Sequence, residues 1–249
     1  MKVSFARFIF GVTVIAAFCG TAFWLHTLTT NPVILALLAA CFIVPQSAFW
    51  EWAIHGFVYH RKFIGGDKIR EIHGAHHWHI FPPNQYVHDG PHAHMRMRGP
   101  LKPYQMADNR LDSAFASGGQ ILFHFAAGLP FIIIPTYYAI GPSFFMGAIL
   151  AVHCVLSVLF AYVHGCIHTP KNRLVERTRW FQFLDRHHYV HHIDTSVNVN
   201  FLLPIGDLLF GTLRLLKDLT EEEKSRYPTF EQAKQITAES VVPEAVGSA

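Results

Sequence analysis

Four long apolar stretches without a charged residue constrain the fold of this 249-residue chain more than any other feature. They run from Phe8 to Leu25, Val33 to Trp50, Gly118 to Ile140 and Phe144 to Val163. Each reaches the roughly 18 residues that an α-helix needs to cross a bilayer. Only 15% of the residues are charged and 51% are apolar, so the sequence predicts an all-α integral membrane protein with four transmembrane helices.

The distribution of charge predicts how these spans are oriented. The connections 26–32 and 141–143 are short and uncharged, so they join the spans into two hairpins. All twenty Lys and Arg residues then lie on one side of the membrane. Because Lys and Arg in short loops mark the cytoplasmic face, we expect both termini there. The first apolar stretch exceeds a signal-peptide core and lacks an obvious cleavage pattern, so we expect it to remain a span.

The predicted organisation is a membrane domain, 1–215, followed by a polar C-terminal tail, 216–249. The spans are placed at about 8–25, 33–59, 118–140 and 144–165. Residues 61–117 and 166–215 then form a cytosolic helical cap rich in histidine. The TEEEK run of the tail predicts a short capped helix, and the tail is given no catalytic role.

Ten of the eighteen histidines fall into four short clusters. These are HGFVYH (His55, His60), HGAHH (His73, His76, His77), HGCIH (His164, His168) and HYVHH (His188, His191, His192). A random chain of this histidine content would contain about 0.1 copies of HxxHH, and this chain contains two. The first and third clusters end a hairpin, and the others follow in the polar segments. We therefore expect all four at one membrane face.

Helical geometry predicts how the clusters divide. Residues three or four apart share a helix face, so each HxxHH cluster presents three imidazoles to one side. Three nitrogens on one turn do not fit one ion together with ligands from a second helix, which favours two ions bridged by shared helices. His55 and His60 are five residues apart, about 140° around an ideal helix. They are expected to diverge or to sit where the span unwinds, and to reach different ions.

Ten ligands shared by two ions give about five each, which leaves an open position on a roughly octahedral centre. A structural zinc ion needs only four ligands, which commonly include thiolate. The four cysteines (Cys19, Cys41, Cys154, Cys166) show no CxxC pairing and lie in or beside spans, so a thiolate site is not indicated. Nitrogen donors alone suit iron, and two irons suit the activation of dioxygen.

The ordered set HxxxxH, HxxHH, HxxxH, HxxHH resembles the fatty acid hydroxylase superfamily of membrane di-metal oxygenases, which includes sterol desaturases. The stretch NVNFLLPIGDLLFGTL, 198–213, resembles that superfamily's NF...D.LFGT ending. The resemblance covers roughly residues 45–215 and is closest to fatty acid 2-hydroxylases. It implies two Fe ions at the cytosolic membrane surface, held by the ten clustered histidines, with O2 as co-substrate and Zn possible in a purified form.

The resemblance also implies partners. The substrate would be a fatty acyl chain or another lipid that enters from the membrane. No HPGG segment typical of a fused cytochrome b5 domain is seen, so two electrons would come from a separate donor, a ferredoxin or a cytochrome b5-like protein with its reductase. The net charge of +3 does not indicate a nucleic-acid partner.

Three residues are candidate catalytic groups that would contact the ligating histidines rather than bind the metal themselves: Glu51, Asp185 and Asn200. Glu51 lies four residues before His55 on the same helical face, where an unpaired carboxylate is unfavourable. Asp185, like Asp194 and Asp207, could orient a ligating imidazole or serve as an ordinary capping residue. Asn200 could approach the metals or stabilise a turn.

The other histidines carry weaker expectations. The Pro- and Gly-rich insert 79–103 predicts a loop, in which His79 could touch the site. His88, His92 and His94 of that insert are interpreted as solvated loop residues, adventitious metal binders or contacts for the electron donor, rather than as catalytic ligands. His26, His124 and His153 lie at or within spans and are given no chemical role.

Three functions remain open from the sequence. The leading one is hydroxylation of an aliphatic C–H bond of a fatty acyl chain or other lipid by a di-iron monooxygenase. A sterol or carotenoid desaturase or hydroxylase would use the same centre. A membrane metal transporter or metal-binding protein is a different class, which would call for ligands along a path through the bilayer.

Overall fold

The computed structural model describes residues 5–60, 67–83, 95–101 and 118–240. The described chain is mostly helical, as the sequence predicts. Four helical segments are long and apolar enough to cross a membrane: Ile9–Thr27, Pro32–Tyr59, Gly119–Ile140 and Phe144–His168. The predicted cap includes 61–66, 84–94 and 102–117, which lie outside the described residues together with His88, His92 and His94.

Ten α-helices, two π-turns, two short 3-10 turns and two strands make up the described residues. The helices are α1 Phe5–Thr27, α2 Pro32–Ile54, α3 Asp67–His76, α4 Gly118–Gly128, α5 Ile134–Ile140, α6 Phe144–His168, α7 Arg179–Ile193, α8 Ile205–Phe210, α9 Glu221–Ser225 and α10 Phe230–Ser240. The π-turns are His55–Tyr59 and Leu129–Ile133, the 3-10 turns are Val175–Arg177 and Leu216–Asp218, and the strands are β1 His79–Ile80 and β2 Arg96–Met97.

Local signals explain where the long helices begin and end. Asn31 caps α2, because its side chain accepts from the backbone N–H of Val33 and Ile34, and Pro32 occupies the first turn. Ser143 caps α6 in the same way, accepting from the backbone N–H of Met146. Gly141 ends α5 at a φ of +67°, a conformation that favours glycine.

The spans pack around α6, which contacts both α2 and α4, while α1 packs on α5. Their shared core is made of aliphatic and aromatic side chains, namely Leu35, Ala39, Phe42, Ile43, Ile132, Ile133, Phe145, Met146 and Ile149 with Ala22. Large apolar side chains also point outward, among them Leu37, Leu122 and Val155. Exposed apolar faces on such long helices are typical of contact with lipid.

A second packed region lies at the histidine end of the spans. Side chains of α6, α7 and the segment after α7 share a core that contains Val163, Phe181, Leu184 and Phe201. The insert predicted as a loop contains β1 and β2, which pair antiparallel with His79 opposite Met97. Phe230 and Ala233 of α10, in the segment predicted as a polar tail, pack against Met95, Met97 and Leu101. The TEEEK run forms α9, with a capping box between Thr220 and Glu223.

Candidate metal centre

The structure brings all ten clustered histidines together at one end of the spans. Three overlapping groups each have their potential ligand atoms within 4.8 Å of one another. The first group is His55, His60, His73, His77 and His191; the second group is His76, His164, His168 and His188; His192 joins them through His76 and His77. The sequence thus correctly predicts that segments distant along the chain converge here.

Each HxxHH helix supplies both groups. On α3, His73 and His77 belong to the first group and His76 to the second. On α7, His191 belongs to the first group and His188 to the second. This division agrees with the expectation that both HxxHH helices are shared between groups.

The expectation that His55 and His60 reach different ions is wrong. Both belong to the first group, and their rings stack with centroids 5.1 Å apart. The reason is the π-turn His55–Tyr59. Hydrogen bonds in a π-turn run between residues five apart, so a residue lies over the one five positions earlier. On the regular helix α6, His164 and His168 also belong to one group, at a spacing of four residues. Their rings meet edge to face, with centroids 4.7 Å apart.

Neighbouring Nε2 atoms are spaced as ligands of a common ion would be. In the first group, His73 Nε2 lies 2.8 Å from His77 Nε2 and 3.1 Å from His55 Nε2. In the second group, His168 Nε2 lies 3.0 Å from His188 Nε2. Two nitrogens about 2.1 Å from one ion and at right angles are about 3.0 Å apart, whereas tetrahedral angles give about 3.4 Å. Other Nε2 separations are 3.3 Å, from His60 to both His73 and His191 and from His76 to His164. The range from 2.8 to 3.3 Å fits nitrogens around a common ion, and the first group offers five of them.

Two lone pairs face each other in the first group. His55 Nδ1 donates to the Val199 carbonyl at 2.5 Å, and His191 Nδ1 donates to the Val197 carbonyl at 2.7 Å. A neutral imidazole has one N–H, so both Nε2 atoms are then acceptors, yet they lie 3.1 Å apart. A cation between them removes this repulsion, which neither ring's own hydrogen can do.

Burial keeps the histidines outside the spans in the neutral, metal-binding form. Desolvation lowers the pKa of His191 to about 3, helped by the neighbouring His60. Desolvation and the positive charge of Arg98 lower the pKa of His60 to about 4. Burial also holds the pKa of five further imidazoles well below the usual range: His73, His76, His77, His188 and His192. A neutral imidazole has the lone pair that a metal ion needs.

Asp207, in the first turn of α8, organises the loop that orients these rings. Its Oδ1 accepts from the Val199 N–H at 2.8 Å and from the Thr212 hydroxyl at 2.6 Å. Its Oδ2 accepts from the Asn200 N–H at 2.9 Å and from His187 Nε2 at 3.2 Å. Burial would raise the pKa of Asp207, but the bonds from His187 and Thr212 outweigh it and lower the pKa. The fully buried carboxylate therefore fixes the loop whose carbonyls accept from His55 and His191.

The three candidate catalytic residues lie near the site in different roles. Glu51 Oε1 accepts from the Phe201 N–H at 2.8 Å, so in the described structure it holds the loop rather than a histidine. The Asn200 side chain donates to the Ala48 carbonyl at 2.6 Å, and its backbone carbonyl accepts from His187. Asp185 is buried on α7.

A glycine makes this arrangement possible. A Cβ at Gly206 would lie 2.5 Å from Asn200 Oδ1 and 2.6 Å from Trp52 Cβ. Only glycine lets α8 approach α2 this closely, which places Asp207 beneath the loop.

Other positioning groups are missed by sequence reasoning. The carbonyls of Val197, Val199 and His79 orient ligands, with His79 accepting from His192 Nδ1 at 2.5 Å. Arg98 donates to the carbonyls of His77 and His192 and so joins the ends of α3 and α7. Backbone carbonyls leave no signature in a sequence, and Arg98 lies in an insert read as a loop. The sequence does not distinguish Asp207 from Asp185 or Asp194 as a residue that orients a ligand.

An apolar cavity of about 420 Å³ opens from the histidines into the spans. Its walls come from α2, α4 and α6, with His55, His73 and His164 at one end and Ile132 and His153 at the other. Gln120 and Ile132, which both line the wall, are twelve positions apart, which corresponds to about 18 Å of helix. The cavity has the size of a small-molecule site and the length of an elongated apolar ligand.

Comparisons of the chain with protein-family models, with curated proteins and with solved structures find no match.

Proposed function

We propose that the chain is an O2-dependent di-iron oxygenase of the membrane that hydroxylates an aliphatic C–H bond of a fatty acyl chain or another lipid. The observation that carries the proposal is the pair of histidine groups opening on one apolar cavity. Such a cavity admits an alkyl chain, and a neighbouring redox centre is needed to attack it. The motif resemblance to the fatty acid hydroxylase superfamily supports the same proposal.

The donor set fits two iron ions better than structural zinc. The described groups contain imidazole alone, and the first offers five nitrogens where structural zinc takes four ligands. The facing Nε2 atoms of His55 and His191 indicate that a cation belongs between them. Bound iron would supply the activation of dioxygen, which no amino-acid side chain provides.

The proposed reaction balances with an external reductant. One oxygen atom enters the C–H bond of the lipid, and the other leaves as water. Two electrons come from a separate donor protein of the ferredoxin or cytochrome b5 class, and two protons come from solvent. The chain's own residues hold the alkyl group and exclude water, since Ile54, Phe123 and Phe160 line the cavity beside the histidines.

The proposed orientation places the histidine end on the cytoplasmic side, where a soluble reductant can reach it. The predicted pairing of spans into two hairpins and the charge distribution support this arrangement. The lipid then enters from the bilayer and the electrons from the cytosol.

A metal transporter is less well supported. Transport requires ligands along a path across the membrane. All members of the described histidine groups instead gather at one end of the spans. A fixed centre fits this placement better.

Metal analysis combined with lipid profiling tests the proposal. Purified protein should contain close to two iron ions per chain. Cells that express it should accumulate a lipid heavier by one oxygen atom, and only in the presence of O2. A product lighter by two hydrogens would identify a desaturase instead. Iron-loaded protein with reductant that yields neither product would refute the proposed function.

A further inference from the structure

We propose that the membrane-buried end of the cavity is a hydroxyl-recognition subsite formed by His124 and His153. The ligand would be an elongated apolar molecule with a hydroxyl group at the end that lies farthest from the metal centre. The binding claim stands on the geometry of this subsite, and its link to catalysis rests on the proposed function.

His153 presents a buried hydrogen-bond acceptor without a partner. The residue lies within α6, is 1% exposed, and lines the cavity. Its Nε2 lies 3.1 Å from the Phe125 carbonyl, to which it must donate. Its Nδ1 is then an acceptor, and it has no hydrogen-bond partner among the described residues. A polar nitrogen left unpaired inside a membrane span is unfavourable unless a ligand completes it.

Close packing holds the His153 ring in place. A Cβ at Gly128 would lie 2.4 Å from both Cε1 and Nε2 of His153. The glycine therefore lets α4 approach α6 and pins the imidazole between the two helices. The ring therefore has a fixed position between the two helices and does not face the lipid.

His124 supplies a second acceptor, because its hydrogen-bond partner also determines which ring nitrogen carries the hydrogen. The Ser157 hydroxyl donates its hydrogen to the His153 carbonyl at 2.9 Å. It must therefore accept from His124 Nδ1, which lies 3.2 Å away. His124 Nε2 is then unprotonated, and the ring is held by stacking on Phe160 with centroids 4.4 Å apart. Ser47 on the α2 wall adds a hydroxyl that also has no described partner.

These groups select among the polar groups that a lipid can carry. Carboxylates, ketones and ethers only accept hydrogen bonds. They could bind the Ser47 hydroxyl or the Trp50 indole N–H, which also lines the cavity without a described partner, but they leave both imidazole acceptors unpaired. A hydroxyl donates its single hydrogen to one imidazole nitrogen and can at the same time accept from Ser47 or Trp50. An ammonium group would need a carboxylate to neutralise it, and Glu51 lies at the histidine end. A hydroxyl therefore fits this chemistry.

The position of the subsite also sets the register of the ligand. His153 precedes His164 by eleven residues on α6, which corresponds to about 16 Å of helix. A molecule whose hydroxyl binds at His153 would present a carbon about 16 Å away to the metal centre. Recognition at one end would thus determine which carbon is reached at the other.

Displacement binding with a matched pair of probes tests the proposal. Tritiated hexadecan-1-ol is bound to purified, iron-loaded protein without reductant, and is displaced by unlabelled hexadecan-1-ol or by its methyl ether. The two competitors differ in the hydrogen that can be donated and in one methyl group. A preference caused by the bulk of the methyl group alone would survive the substitutions below, whereas one caused by the hydrogen bond would not. We expect the alcohol to compete about tenfold better than the ether. In His153→Phe, which keeps a ring of similar size, the preference should fall to about twofold or less.

Two further variants keep the test decisive. His26→Phe removes a histidine at the end of α1 that does not line the cavity, and it should retain the full preference. If His153→Phe does not fold, His124→Phe should reduce the preference on its own. Equal competition by the two probes in the wild-type protein would mean that water completes the acceptors, and would overturn the proposal. So would a preference that survives both substitutions.

The outcome is separable from that of the proposed function, because binding is measured without turnover. Selective binding of the alcohol by a protein that oxidises no lipid would refute the oxygenase and leave the subsite. Lipid hydroxylation without any alcohol preference would refute the subsite alone.

Discussion

The helices α3 and α7 carry the same HxxHH spacing, but the protein holds them differently. On α7, His191 and His192 donate Nδ1 to backbone carbonyls, and Thr178 caps the helix. On α3, His77 Nδ1 is buried without a described partner. Equal motifs are therefore not equally preorganised. The rings of α7 are positioned by the chain itself, whereas we expect those of α3 to depend more on an ion bound between the two groups.

The largest effect is expected from removing a ligand on either helix. His76→Ala on α3 and His191→Ala on α7 should each lower activity by at least about 100-fold, because an open site cannot replace a lost imidazole. Iron per chain should also fall. Both quantities are measured on protein purified from membranes, with His26→Ala as the control. Wild-type activity in either ligand variant would contradict the assignment.

Asp207→Asn should weaken the loop that orients His55 and His191, and should leave α3 less affected. The carboxylate accepts four hydrogen bonds, and the isosteric amide cannot accept all of them. We expect a loss of about 3 kcal/mol in the free energy of unfolding and about 10- to 100-fold weaker metal binding. Denaturation and metal titration measure these effects. Asp194→Asn, at a partly exposed capping position, should change stability by less than about 1 kcal/mol.

Acid should destabilise the metal-free protein. In the unfolded chain the histidines have a pKa near 6.5. In the folded chain the pKa is lowered to about 4 for His60 and to about 3 for His191. Within this window the unfolded state binds more protons, so stability falls as pH falls and levels off above about 6.5. Melting temperatures of chelated protein between pH 7.5 and 4.5 measure the trend. A melting temperature that rises toward pH 4.5 would contradict the buried, neutral state.

Hydrogen exchange compares the two helices directly. In chelated protein, backbone amides of α3 should exchange faster than those of α7, because fewer of its rings are tied to the backbone. Addition of iron should slow exchange in α3 more than in α7. Mass spectrometry of peptides that cover 67–76 and 179–193 reports both rates. Equal protection in the chelated protein would remove the distinction between the helices.

The smallest effect is expected from the α7 cap. Thr178 accepts from the Phe181 N–H at 3.2 Å, so Thr178→Ala should reduce stability by about 1 kcal/mol. The iron content should stay unchanged, since the carbonyl contacts of His191 and His192 remain. A loss of iron in this variant would show that α7 also depends on its own helical stability for metal binding.

Sequence patterns predict the spans and the convergence of the histidines well. Uncharged runs of about 18 residues have few alternatives to membrane helices, and the four observed segments follow them closely. The HxxHH spacing also predicts that each helix serves two groups. These features depend on local periodicity, which a sequence records directly.

The rest depends on contacts that a sequence does not record. The spacing leaves open whether His55 and His60 diverge or the span unwinds between them. The π-turn that begins at His55 brings both into one group, so the expectation that they reach different ions was wrong. Val199 orients His55 through a carbonyl, which every residue possesses. Phe230 packs on Met95 and Met97 across more than 130 residues, although the average composition of its segment is polar.

The length of the spans has a consequence for where chemistry can occur. The segment Pro32–Tyr59 has 28 residues, or about 42 Å of helix, against a hydrocarbon layer of about 30 Å. Counted from Pro32, that layer ends near Trp52, and counted from Phe144 it ends near Val163. A hydrocarbon layer that began at these two residues would leave the histidines at or just beyond its edge, with the far end of the cavity toward its middle. Under the proposed function, an apolar substrate would then stay within the lipid while a soluble reductant approached the metal centre from water.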